Sequence, residues 1–165
     1  METLAELREH MQTIITEIGD SFTEPDDDWL HVACFDGEDG LVIAGLANDL
    51  FANGFRKDVL AHVLKQAMVQ FKARRYAVLF NAHMKRMASD EELERIRDEE
   101  TRVEHLDGAQ ECLMLVVGDA EQEEGWIAHI ERDGVNPPTL GTWELTDGFG
   151  GRFARLNEQM RAIRA

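Results

Sequence analysis

A chain of 165 residues is one domain's worth of sequence, long enough to bury roughly 70% of the surface its unfolded form exposes. Its hydrophobic content of 44% supports a packed core and argues against disorder. Thirty-three acids against seventeen bases leave a formal charge of −16, a field that repels nucleic acid and anionic lipid, so direct nucleic-acid binding is disfavoured. No run approaches the roughly 20 apolar residues of a membrane span, and the start METLAELREH lacks the basic-then-apolar form of a secretory signal. The expectation is a soluble, cytoplasmic protein with no membrane partner. The bases are thirteen arginines and four lysines, a usage shared with salt-adapted or GC-rich proteomes, so the acidity has a background explanation beside a functional one.

Taken in order, Thr3 and Glu6 have the spacing of a capping box. Behind them Leu4, Leu7, Met11, Ile14, Ile15 and Ile18 recur at helical spacing as far as Gly19, which predicts an N-terminal helix over 1–19. Its face suits either a sheet of the same subunit or a second copy. The acidic stretch 20–28 reads as a loop. Consecutive Asp26, Asp27 and Asp28 cannot all aim at one cation from an extended backbone, and no metal site is expected. Residues 29–35 and 41–46 read as two strands joined by the turn 36–40. Asn48 to Arg56 reads as a loop held down by phenylalanines, leading into a helix over 57–72. There Val59, Leu60, Val63, Leu64, Ala67, Met68 and Phe71 form one expected core stripe.

The runs 76–80 and 111–117 are apolar without alternation, the pattern of strands covered on both faces, and are expected side by side in the middle of a sheet under the 57–72 helix. Between them, 89–104 opens with a second capping box, and eleven of its sixteen residues are charged. A charged helix or flap with one thin apolar stripe is expected there. Trp126 to Arg132 alternates, and after the turn at 133–138 the run 139–145 returns beside it. Phe153, Leu156, Met160 and Ile163 predict a C-terminal helix over 152–165, ringed by Arg152, Arg155, Arg161 and Arg164. The whole of 1–165 therefore reads as a single α+β domain: a mostly antiparallel sheet of five to six strands covered by amphipathic helices.

Catalytic signatures are missing from the sequence. There is no nucleophile elbow, no phosphate-binding loop and no paired-histidine zinc motif, and no cofactor is expected. Cys34 and Cys112 lie in apolar runs and read as buried hydrophobes. The candidates for chemistry are His31, His129 and Cys112, which share a site only if their strands are neighbours. Trp126 and Trp143, on adjacent expected strands, with Arg155 and Arg161 on the C-terminal helix, are the candidates for a binding surface.

The segments Arg102-Val103-Glu104, Leu113 to Val117, Ile130-Glu131-Arg132 and Pro138-Thr139-Leu140-Gly141-Thr142-Trp143 resemble the C-terminal half of small uncharacterised proteins of bacterial and phage genomes. The likeness covers about 45 residues and implies a bacterial, phage or prophage setting, with no activity to carry over. The functional expectation is a non-enzymatic binding or regulatory protein acting by protein contact, on a protein partner or on itself as a homodimer. An acidic inhibitor imitating nucleic acid and a small hydrolase or transferase with a His/Cys site are the alternatives.

Overall fold

The computed structural model describes residues 3–84, 91, 109–146, 153, 155–158 and 160. Among them one antiparallel sheet of seven strands runs in the order β2-β1-β3-β4-β5-β6, with β7 also on β5. The strands are β1 (His31–Gly37), β2 (Gly40–Leu46), β3 (Arg75–Met84), β4 (Gln110–Asp119), β5 (Glu123–Glu131), β6 (Thr139–Leu140) and β7 (Glu144–Leu145). Helix α1 (Leu4–Asp20) covers one face, and α2 (Gly54–Gln70) the other. The fold is α+β, as the sequence predicts.

Alternation on the strands sorts the core into two halves. Cys34, Ala77, Leu79, Leu113, Leu115, Val117 and Ile130 meet Leu4, Leu7, Met11 and Ile15 of α1. Ala33, Phe35, Tyr76, Val78 and Val116 meet Leu60, Leu64 and Met68 of α2, with Phe153, Leu156 and Met160 beside them. β3 and β4 pair over ten residues, Arg75↔Asp119 to Met84↔Gln110, in the middle of the sheet. Their lack of polar alternation is the consequence of burial on both sides.

α1 starts at the expected capping box: the Glu6 amide donates to the Thr3 hydroxyl at 3.1 Å and the Thr3 amide to the Glu6 carboxylate at 3.1 Å. α2 starts earlier than its apolar stripe suggests, because the Asn53 side chain accepts from the Arg56 amide at 2.9 Å and caps it. It ends without glycine, Lys72 taking the left-handed conformation itself with φ 48°.

Three expectations need correction. The run 139–145 is two separate two-residue strands, with β6 opposite Ile130 and Glu131 and β7 opposite Trp126 and Ile127. Leu145 therefore lies opposite Trp126, and Trp143 falls in the break between β6 and β7. The 57–72 stripe is only half used. Leu60, Ala61, Leu64 and Met68 are buried, but Val59, Val63 and Phe71 are exposed. Finally, Trp29, expected to open the first strand, precedes β1 and packs on the α1 side. Of the expected 152–165 helix, Arg155 to Asn157 form a turn, with Arg155 at φ 59°, and Glu158 and Met160 are helical. The charged 89–104 segment lies, apart from Glu91, outside the described residues.

Candidate functional site

His31, Cys112 and His129 all fall on the α2 side of the sheet, by alternation with Ala33, Val116 and Ile127. Cys112 and His129 are directly opposed on β4 and β5. His31 is farther off, because β3 lies between its strand and β4. It packs edge-on against Phe51 with ring centroids 4.3 Å apart. Burial pushes its pKa down, against the opposing pull of Asp28. The Nδ1 atoms of His31 and His129 are buried without a hydrogen-bond partner among the described residues.

Burial raises the Cys112 thiol to about 11, with Glu111 adding to the effect. Burial also raises Cys34 to about 11, Asp36 adding there. This is the opposite of the depression that makes a thiolate nucleophile at neutral pH. Among the described residues no group of three or more His, Cys, Asp or Glu side chains is placed to hold a metal ion.

The binding candidates are spread out. Trp126 donates to Glu124 at 2.9 Å beneath the Arg8 guanidinium, which lies 4.7 Å from its ring centroid. Trp143 packs partly buried against the α1-side core. Arg155 is exposed at the turn, and Arg161 lies outside the described residues.

Two polar constellations escaped the sequence reading. In the first, Glu123 accepts from the Tyr76 hydroxyl, from the Arg155 amide at 2.6 Å and from the Leu156 amide at 3.1 Å, so one carboxylate pins the C-terminal segment to the sheet. In the second, Arg132 grips Glu111 with two bonds of 2.8 and 2.9 Å and reaches Asp28 at 3.0 Å, while Asn81 donates to Glu111 at 2.8 Å. This ties the 20–28 loop to β4 and β5.

Burial alone would raise the Glu111 carboxyl, but the hydrogen bonds from Arg132 and Asn81 and the Arg132 charge outweigh it and hold its pKa below the ordinary value. A pKa lowered by folding gives stability that is present above the unfolded value and lost as pH falls through the folded one. Acid titration of unfolding is therefore expected to show wild type losing stability below about pH 4.5, with a shallower slope in Glu111→Gln. Equal slopes would show that the constellation contributes nothing to acid sensitivity.

The surface that stands out is on α2. Phe55, Val59 and Val63, at steps of four along one side, are 78%, 47% and 50% exposed. Their stripe adjoins the buried one, so α2 is apolar over far more of its circumference than the sheet covers. The charges on α2 are Arg56, Lys57 and Lys65 against the one acid Asp58, a basic element on an acidic chain. The signal was present in the sequence as the width of the stripe: at about 100° per residue, Val59 to Phe71 spans half a turn, wider than one sheet contact.

No protein-family model, curated protein or solved structure matches the chain. Among the described residues no helix is long and apolar enough to cross a membrane. The class the fold defines is thus a helix-covered antiparallel α+β sheet.

Proposed function

We propose that the chain is a non-enzymatic binding protein that works by protein contact, with the outer side of α2 as its contact surface. The observation that carries this reading is the exposed stripe Phe55–Val59–Val63 on a helix already filled on its other side. An apolar stripe left in water marks an interaction site, and its side chains favour an apolar surface on the partner. The test is a photo-crosslinking side chain at Val59 in host cells, with Glu9 on the exposed side of α1 as control. Discrete adducts at Val59, lost in Phe55→Asp/Val63→Asp, are expected. No adduct above the Glu9 control would refute the reading.

The hydrolase alternative has one observation in its favour, the opposition of Cys112 and His129, and one against it, the raised thiol. Thiol titration separates the two. Native protein is expected to show no fast-reacting cysteine at pH 8 and two after denaturation, since both thiols are fully buried. A fast native thiol would favour the enzyme. Imitation of nucleic acid is weakened because Glu123 and Glu124 are engaged by Tyr76 and by Arg8 and Trp126.

A further inference from the structure

We infer that the β2 edge seats a second copy of this chain, the two β2 strands pairing antiparallel about a two-fold axis at Ile43 so that one sheet runs through both molecules. The inference rests on the protein-contact reading, which has its own test at Val59. Three observations carry it. The first is that the two edges of the sheet are unlike. Beyond β5 lie strands of two residues each, preceded by Pro137 and Pro138, and short strands and proline are the usual guards of an edge. β2 has seven residues, GLVIAGL, with no charge and no proline, and among the described residues no strand pairs with its outer side.

The second observation is charge. Two copies at −16 repel each other, and the cost is least where the touching elements are neutral, as Gly40 to Ala47 is. The third is shape. A two-fold axis at Ile43 sets Ile43 against Ile43, Leu41 against Gly45 and Val42 against Ala44, so each larger side chain faces a smaller one or its own equivalent. The same axis doubles an apolar patch that the monomer leaves in water. α1 packs on β3, β4 and β6, leaving Ile43 55% and Leu41 37% exposed, two residues apart on one face of β2. An extended peptide of another protein would make the same backbone bonds; the chain's own β2 brings the size matching with it.

The test is the mass of the full chain in solution across micromolar concentrations, together with two kinds of variant. Wild type is expected at twice 18.7 kDa, and more completely so as salt rises, because screening relieves like-charge repulsion. Ile43→Lys sets two charges on the axis and is expected to weaken the dimer at least tenfold. Its side chain is already half in water, so an unchanged circular dichroism spectrum and thermal midpoint check that it folds. For register, Ile43→Cys is made with Cys34→Ala, because Cys34 lies opposite Ile43 on β1 and would capture the new thiol. Mild oxidation is expected to give a covalent dimer from this variant and none from Leu41→Cys, whose two copies are too far apart to bridge.

A wild-type monomer, a dimer untouched by Ile43→Lys, or equal crosslinking at both positions would each overturn the inference. Val59 adducts to a different protein alongside a wild-type monomer would overturn self-pairing and leave the protein-contact reading standing. A dimer without such adducts would do the reverse.

Discussion

Replacing Gly118 by alanine is expected to destabilise the protein by about 3–5 kcal/mol. The position lies opposite Tyr76 in the β3–β4 ladder. A Cβ there would overlap the phenol oxygen and stand 2.8 Å from ring atom Cε1. Tyr76 is fully buried and its hydroxyl is held by Glu123, so the ring has nowhere to move without giving up that bond. Overpacking of this kind costs about 1–3 kcal/mol, and a lost hydrogen bond to a charged group about 1.5–3 more. Tyr76→Phe, which removes only the hydroxyl, is expected to lose just the second amount. It cannot rescue Gly118→Ala, because Cε1 remains in the way. Urea unfolding of the three variants checks this, and a Gly118→Ala loss below about 1 kcal/mol would mean that the ring is free to shift.

That triad also marks where sequence reading stops. The strands 76–80 and 111–117 were legible because burial on both sides leaves an unbroken apolar run, and α1 because its cap and its stripe agree. Gly118 gave no signal: it ends an apolar run like any other glycine, and its necessity comes from a tyrosine more than forty residues away. Nothing in the local pattern marks Glu123, although it is the anchor of the C-terminal segment. The same holds for Glu111, Arg132 and Asp28, whose partnership depends on strand order. Periodicity reports what one element needs and does not report which element meets it. On α2 the residue types are legible and the rotation is not: the stripe includes Val59 and Val63, whereas the core takes Leu60, Ala61, Leu64 and Met68.

The two apolar surfaces follow from one arrangement. α2 covers the α2 side of the sheet with one flank, and α1 lies over β3, β4 and β6 on the other side. β2 is thus bare on its α1 side, and α2 is bare on its outer side. A core built this way is complete in its middle and unfinished at one edge. The many acids lie elsewhere: β2 carries none and α2 only one.

Trp29→Ala is expected to cost about 3–5 kcal/mol, the range for emptying a large aromatic site that cannot collapse. The indole is 4% exposed, donates from Nε1 to the Ile15 carbonyl at 2.9 Å, and takes the Phe22 ring edge-on at 4.8 Å between centroids. It also lies flat enough on α1 that a Cβ at Gly19 would come within 2.8 Å of its Cζ2. The tryptophan thus clamps the last turn of α1 to the sheet just before the chain enters β1, and Gly19 makes room for it as well as sitting near the helix end. Trp29→Phe keeps most of the apolar contact and gives up the indole donor, so a loss of about 1–2 kcal/mol is expected from one neutral hydrogen bond and a smaller cavity. Because the clamp acts on one helix end, amide exchange in Trp29→Ala should quicken most over residues 15–20, ahead of the β3–β4 ladder. Equal quickening in both places, or a loss no larger than that of Trp29→Phe, would show that the ring is filler and that α1 is held by Leu4, Leu7, Met11 and Ile15.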